Sequence, residues 1–187
     1  MVYPSGITSK VRGIQVENQS VQTAESGMRT AINFQGLDKE AVQRGDVLAI
    51  PQVLRPSYMV DIHFRYLASN GRPIKNRTRV RLHTGTSEIL GNLILLEQDE
   101  LAPGQETVAQ LRLDTPVAIV KDDHFVVRSY SPVRTIGGGQ VLSVQYTGFG
   151  ATRELETFRL FNYARNIDEF VHALQHFLRR RRGHVDA

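Results

Sequence analysis

The chain of 187 residues contains no cysteine. This absence excludes a disulfide framework and every cysteine-ligated metal site, and it fits a reducing compartment. Long apolar runs are missing too, because the densest one, Leu93–Leu96, is far too short to span a bilayer. Met1–Gly6 has no apolar run of the kind that a signal peptide needs. We therefore expect a soluble, cytoplasmic protein that has no membrane partner.

Motifs for catalysis and for cofactor binding are also missing. The phosphate-binding pattern G-x-x-x-x-G-K-[ST] does not occur, and we interpret the Gly137–Gly139 triplet as a flexible or tightly packed turn. His172 and His176 have the spacing of two zinc ligands, but Ala173 stands where a zincin has glutamate. The sequence thus predicts no catalytic residue, no cofactor and no metal site in this chain.

What the chain does contain is a regular alternation of apolar and polar residues. Apolar residues occupy every second position from Val60 to Tyr66, and the same period recurs in Val80–Leu82 and Ala109–Leu113. This period is typical of strands with one buried face. Shorter runs of β-like character are Val11–Val16, Ala31–Phe34, Val47–Ile50, Val117–Val120, Phe125–Arg128 and Val141–Val144. Together they predict an all-β fold of antiparallel barrels or sandwiches.

Two dipeptides predict specific turns between these strands. Asn70-Gly71 predicts a type I′ hairpin turn, in which both central residues have positive φ. Pro103-Gly104 fits the two central positions of a type II turn. Both turns favour strands that are short and antiparallel.

Prolines and a change of period divide the chain into three units. Pro51 and Pro56 bracket a short segment, Gln52–Arg55, that we interpret as a domain junction. Beyond residue 144 the apolar spacing becomes helical. The division is a small β-unit at 1–55, a larger β-unit at 56–144 and a helical tail at 145–187. About fifty residues are few for a closed barrel, so we expect the first unit to be incomplete or to share packing with the second.

The formal net charge is +4, and basic residues are unevenly distributed. Between residues 72 and 81 there are five cations and no acid: Arg72, Lys75, Arg77, Arg79 and Arg81. Alternation puts Arg77, Arg79, Arg81 and His83 on one strand face, with Val80 and Leu82 in the core. Such a face suits an RNA backbone; the alternative is a solvated face with cross-strand acid partners such as Asp61. A second run, Arg179–Arg182, ends the predicted tail helix, where cations also complement the helix dipole.

The segment Lys10–Pro51 resembles the second domain of translational GTPases. It carries the glycine, alanine and arginine landmarks of that domain, at Gly13–Val16, Ala24–Gly27, and Gly36 followed by Arg44-Gly45-Asp46-Val47. The run Arg12–Val16 looks like the selenocysteine-specific elongation factors within that family.

The segment Phe125–Leu142 resembles the closing strands of the third domain of the same family. There the general tRNA-delivering factor also has Arg-Thr followed by a glycine-rich turn. The run Arg128–Pro132 and the glycine triplet look like the selenocysteine-specific members. The resemblance spans about residues 6–144, and its two motif blocks occur in the order that the family has.

The resemblance implies two translation-factor β-barrels, the first truncated, that clamp the acceptor and T stems of aminoacyl-tRNA. It implies selenocysteinyl-tRNA and the ribosome as partners. GTP, Mg²⁺ and the GTPase reaction would belong to an upstream domain of the parent protein, so we expect this chain not to be an enzyme. The family's C-terminal winged helices, which bind the recoding hairpin in mRNA, would be absent apart from an opening helical segment at 153–178.

Arg29 follows from the same resemblance, because Gly27-Met28-Arg29 matches the strand entry that lines the aminoacyl pocket. A guanidinium there would favour the anionic selenol of selenocysteine over the neutral hydroxyl of serine. The alternative for Arg29 is an ion pair with a nearby acid such as Glu25.

The predicted tRNA-binding residues are all basic. A loop that faces the T stem in the family is matched by Arg72, Lys75 and Arg77. The arginine of the family's Arg-Thr-Gly turn is matched by Arg134, and the basic strand contributes Arg79 and Arg81. We interpret Arg128 as structural. The alternatives for the whole chain are the barrels of another translational GTPase with a different tRNA, or an adaptor that binds only protein. An enzyme or metal protein on β-barrels would need a constellation of acid, base or metal ligands.

Overall fold

The computed structural model describes residues 1–145, which form thirteen β-strands and one short 3-10 helix at Lys39–Ala41. The first five strands are short: β1 Val2–Tyr3, β2 Val11–Val16, β3 Gln19–Val21, β4 Thr30–Phe34 and β5 Val47–Leu48. The remaining strands are β6 Ser57–Tyr66, β7 Ile74–Lys75, β8 Thr78–Thr84, β9 Ser87–Leu95, β10 Glu100–Leu101, β11 Glu106–Val117, β12 His124–Ser129 and β13 Thr135–Gln145. The predicted predominance of β-structure is confirmed for this part of the chain.

Six of the long strands close into a barrel in the order β11-β6-β13-β12-β8-β9. Every neighbouring pair is antiparallel. The connections 67–77 and 130–134 therefore leave the barrel at the same end, where β6 and β12 finish and β8 and β13 begin. We call this the loop end. At the opposite end a tight turn joins β8 to β9.

Strand alternation decides which side chains fill the barrel. In β6 the residues Val60, Ile62, Phe64 and Tyr66 point inward and are buried, as their spacing predicted. Val80 and Leu82 do the same in β8, with exposures of 0% and 1%. These side chains belong to one continuous apolar cluster inside the barrel. Because the cluster is enclosed by paired backbone on all sides, the barrel offers a rigid frame for its loops.

The glycine triplet lies within β13, so the prediction of a turn there is wrong. Gly137, Gly138 and Gly139 pair with β12 on one side, and β6 also pairs with all three. A Cβ on Gly139 would lie 1.9 Å from the backbone oxygen of His63, and one on Gly137 would lie 2.5 Å from that of Arg65. The triplet is therefore needed for close approach of three strands, and only the tightly packed part of the prediction is correct.

The predicted Asn70-Gly71 hairpin turn is also wrong. Neither residue has positive φ, and β6 pairs with β11 and β13 rather than with the strand that follows it. Asn70 is 4% exposed, and its amide donates to the carbonyl oxygens of Leu67 and Ile136 at 2.9 and 2.7 Å. It ties the connection 67–77 to the beginning of β13. By contrast, Gly104 has φ +84 and Gln105 N donates to Ala102 O, as a type II turn requires.

Residues 1–55 form open sheets. β2 pairs with β3 and β4 in a three-stranded sheet, and β1 pairs with β5 in a separate two-stranded one. Neither sheet closes, so the truncated barrel expected for this unit is not confirmed. This region touches the barrel where Ser87 Oγ donates to Gly45 O at 2.7 Å, beside the β8–β9 turn.

The predicted helical tail lies outside the described residues from residue 146 onward, and so does Arg179–Arg182. Across residues 1–145 no helix has the length and apolar character needed to cross a membrane.

Candidate nucleic-acid interface

The outer face of β8 carries the predicted basic strand. Arg79, Arg81 and His83 alternate with the buried Val80 and Leu82 and are partly exposed. Arg77 does not belong to the strand, because it precedes β8 in a turn and has φ 63. The strand therefore presents two arginines and one histidine, while Arg77 projects from the connection at the loop end.

Acidic side chains of β9 and β11 neutralise the two strand arginines. Arg79 donates to both carboxylate oxygens of Asp114, with 2.8 Å from Nη1 to Oδ1. This pairing raises the pKa of Arg79 and lowers that of Asp114. Arg81 pairs with Glu88, directly on the adjacent strand β9. Arg79 and Arg81 thus have the cross-strand acid partners that were the alternative to RNA contact for this strand face.

Asp61, which the sequence suggested as such an acid, has another role. It is 1% exposed and accepts hydrogen bonds from Gln110 Nε2, Ser143 Oγ and Gln145 Nε2 at 2.9, 2.6 and 2.6 Å. Its partners belong to β11 and β13, the two neighbours of β6. Asp61 thus links three strands through neutral donors.

Cations without an acidic partner lie at the loop end. Within residues 1–145, Arg72, Arg77 and Arg134 are exposed and form no ion pair, whereas Lys75 Nζ is 3.8 Å from Glu100 Oε1. Tyr66 brings two of them together: its hydroxyl donates to Arg72 O at 3.0 Å, and the charge of Arg134 lowers its pKa against a larger increase caused by burial. The Arg72 backbone and the Arg134 charge therefore both lie close to this buried phenol.

The loop end carries acidic residues as well. The connection from β9 to β11 contains Glu97, Asp99 and Glu100, and Glu106 at the start of β11 lies 3.3 Å from Arg65 Nε. The connection 67–77 lies directly beside these acids, because β7 pairs with β10 and Asn76 N donates to Asp99 O at 2.7 Å. The connection 130–134 joins β12 to β13 instead. Acidic and basic side chains therefore both lie at the loop end, and within residues 1–145 Lys75 forms an ion pair with Glu100 whereas Arg72 and Arg77 form none.

The connection 130–134 is closed by Ser129 and Arg134. Ser129 N donates to Arg134 O at 2.9 Å, and Arg134 N donates to Ser129 Oγ at 3.2 Å. Tyr130 begins this turn, and its ring lies over the guanidinium of Arg81, 5.4 Å from Cζ to the ring centroid. Tyr130 was not among the residues predicted from the sequence, although an aromatic residue inside the Arg128–Pro132 run was a visible signal.

Three nitrogens on this outer face are buried without a hydrogen-bond partner among the described residues: Arg81 Nε, His83 Nε2 and Arg128 Nε. Burial lowers the pKa of His83, as do the charges of Arg128, Arg81 and Arg44, while Glu88 raises it. Arg128 was interpreted as structural, and its side chain is partly buried beside β8. Burial and the nearby arginines therefore favour the neutral form of the His83 imidazole.

Arg29 lies in the loop before β4 and is exposed. Within the described residues it forms no ion pair, so the suggested pairing with Glu25 is not observed. Arg29 thus belongs to the open region of residues 1–55 and not to the barrel. His172 and His176 lie outside the described residues, and residues 1–145 contain no group of three potential metal ligands.

The part of the chain that the structure describes thus contains a six-stranded β-barrel domain whose loop end exposes Arg72, Arg77 and Arg134. Residues 61–147 match the family model described as "Selenocysteine-specific elongation factor, beta-barrel domain". The chain thus belongs, through this barrel, to the family of selenocysteine-specific elongation factors.

Similar proteins named "Selenocysteine-specific elongation factor" come from several bacteria. The one from Desulfomicrobium baculatum is 43% identical over 142 residues, which cover 76% of this chain and 22% of the relative. Those from Escherichia coli and Haemophilus influenzae are each 28% identical, over 71% and 75% of this chain and 20% and 22% of the relatives. The chain spans about a fifth of the length of these relatives.

Proposed function

We propose that this chain binds selenocysteinyl-tRNA, as part of an elongation factor that delivers the tRNA to the ribosome in a GTP-dependent step. The names of its relatives support the selenocysteine part of this proposal. GTP and Mg²⁺ would be held by another part of the factor, and the described residues act by binding rather than by catalysis. In the complete factor, a further region would bind the mRNA recoding hairpin.

The observation that supports tRNA binding most strongly is the set of unpaired cations at the loop end. Arg72, Arg77 and Arg134 are exposed and have no acidic partner within residues 1–145. An unpaired guanidinium can donate two parallel hydrogen bonds to a phosphate without first breaking an ion pair. Arg79 and Arg81 would have to exchange Asp114 and Glu88 for a phosphate, so we assign the main contacts to the loop-end residues.

The test is the salt dependence of tRNA binding. Each phosphate contact that is lost should reduce the slope of log K against log salt by about one unit. We expect Arg77→Asn and Arg134→Gln each to weaken binding and to flatten the slope; asparagine is chosen because it tolerates the positive φ of residue 77. Fluorescence anisotropy with selenocysteinyl-tRNA would measure both quantities.

Arg65→Gln is the matched control, since it also removes one arginine charge at the loop end. Arg65 already pairs with Glu106, so this change should leave affinity and slope nearly unaltered. Equal effects of all three substitutions would indicate general charge attraction and contradict a specific tRNA face. A wild-type chain that binds no tRNA would contradict the proposed function itself.

Arg29 is proposed to favour the selenocysteinyl group. Its exposed, unpaired guanidinium can form a charge-assisted hydrogen bond with the selenolate of selenocysteine. The neutral hydroxyl of serine would form a weaker one. In the complete factor, Arg29→Ala should reduce the preference for selenocysteinyl-tRNA over seryl-tRNA, whereas Arg12→Ala on the exposed strand β2 should not. An unchanged ratio of the two affinities in Arg29→Ala would remove this assignment.

A further inference from the structure

Tyr130 stands out at the loop end because a large aromatic ring is left in solvent there. The residue is 49% exposed, whereas the apolar side chains of the barrel core are buried. It occupies the same turn as Arg134, which Ser129 closes through its backbone and its hydroxyl. The ring is therefore displayed next to one of the unpaired cations.

One face of the Tyr130 ring packs against the Arg81 guanidinium. The Arg81 guanidinium lies 5.4 Å from the ring centroid, and Glu88 fixes that guanidinium from the other strand. The guanidinium of Arg79, which is paired with Asp114, also lies near Tyr130. Because the two arginines are already paired with acids, their contribution here is to orient the ring rather than to hold a phosphate.

We propose that Tyr130 is a stacking platform for an unpaired nucleotide of the bound RNA, with neighbouring phosphates on Arg72, Arg77 and Arg134. This inference rests on the proposed function. An aromatic ring with one supported and one free face can stack on a nucleobase of any identity. Bases inside a duplex have both faces covered, so the nucleotide at Tyr130 must be unpaired or terminal.

The first test separates stacking from charge. Tyr130→Ala in the 187-residue chain should weaken RNA binding about tenfold at every salt concentration, while the slope against salt stays that of the wild type. Tyr130→Phe keeps the ring and should bind within about twofold of the wild type. Unchanged affinity in Tyr130→Ala would overturn the inference, and so would a flattened slope, which would mean that the ring only positions Arg81 for a phosphate.

The second test uses the absence of tryptophan from the chain. Tyr130→Trp introduces a single tryptophan whose fluorescence reports stacking directly. A short single-stranded RNA should quench it, whereas a long blunt-ended RNA duplex at the same nucleotide concentration should quench it far less, because nearly every base of the duplex has both faces covered. Equal quenching by both RNAs would overturn the inference.

The two proposals fail in different ways. Wild-type binding of RNA, together with unaltered binding by Tyr130→Ala, would remove the stacking platform and leave the proposed function intact. Absence of RNA binding by the wild type would remove the proposed function, and the stacking platform with it. Thermal unfolding of each variant shows whether the barrel is preserved, so that lost binding is not confused with lost folding.

Discussion

Apolar side chains are buried in the closed barrel but mostly exposed in the open sheets of residues 1–55. In the barrel, a continuous cluster of apolar side chains is almost fully buried. Of the described side chains in 1–55, only Val2 and Tyr3 are buried apolar ones, while Val11, Ile50 and Val53 are 54%, 71% and 58% exposed. Both regions consist of antiparallel strands, so strand content alone does not produce a core.

Closure is the physical reason for the difference. A closed barrel pairs every strand on both sides and turns one face of each strand inward. The three-stranded sheet has two free edges, at β3 and β4, and no second layer among the described residues lies on its apolar face. The barrel can therefore hold loops in defined positions, and we expect substitutions in the two regions to have unequal effects.

The largest expected effect separates the two regions by side-chain truncation. Phe64 is 0% exposed inside the barrel and Ile32 is 37% exposed in β4. Phe64→Ala should lower the free energy of unfolding by about 3–5 kcal/mol, because it leaves a cavity in a closed core. Ile32→Ala should cost less than about 1 kcal/mol. Urea denaturation of both variants measures the two values, and similar losses would mean that the open sheet has a core of its own.

A smaller effect is expected from a methyl group added to a strand glycine. Gly139→Ala places a Cβ 1.9 Å from His63 O and should destabilise the barrel by about 3 kcal/mol. Gly13 lies in β2 with nothing within 4 Å of its Cβ position, so Gly13→Ala should change stability by less than about 0.5 kcal/mol. Thermal unfolding of the matched pair decides; a tolerated Gly139→Ala would show that β6 and β13 are less close than described.

The smallest expected effect concerns the contact between the two regions. The pKa of His83 is lowered by burial and by nearby arginines, one of which is Arg44 of the open region. Between this lowered pKa and about 6.5, the unfolded chain binds more protons than the folded one. The stabilisation from His83 is therefore present above about pH 6.5 and is lost as pH falls through the folded pKa.

His83→Gln should accordingly flatten the rise of unfolding free energy with pH in that window. Arg44→Gln should raise the pKa of His83, because it removes one of the repelling charges. NMR titration of the imidazole checks the second change, and denaturation at several pH values checks the first. An imidazole that is insensitive to Arg44→Gln would indicate that residues 44–45 do not rest against the β8–β9 turn.

Strand prediction succeeded where a strand has one apolar face and one polar face. The alternation in Val60–Tyr66 and around Val80 and Leu82 reports burial directly, because side chains of a strand point to opposite sides in turn. It failed for β9, where Leu90 and Ile94 on the outer face and Leu93 and Leu95 on the inner face form a nearly continuous apolar run. The period is invisible when both faces are apolar.

The candidate site was predicted in part. The sequence identified the cations of the loop end, because charge and composition can be seen without a fold. It did not predict that Asp114 and Glu88 neutralise Arg79 and Arg81, since those pairs join residues that are 35 and 7 positions apart. Nor did it select Tyr130, whose position over Arg81 depends on the pairing of β12 with β8.

By itself, the amino-acid sequence determined the β-rich character of the barrel region, the inward residues of β6 and β8, and the presence of basic loops. These follow from local period and from charge. Only the tertiary structure decided that Gly137–Gly139 lies between two strands, that Asn70 anchors a loop, and which arginines remain unpaired. Each of these depends on which distant segment lies within hydrogen-bonding distance, and barrel closure fixes that arrangement only when all six strands are in register.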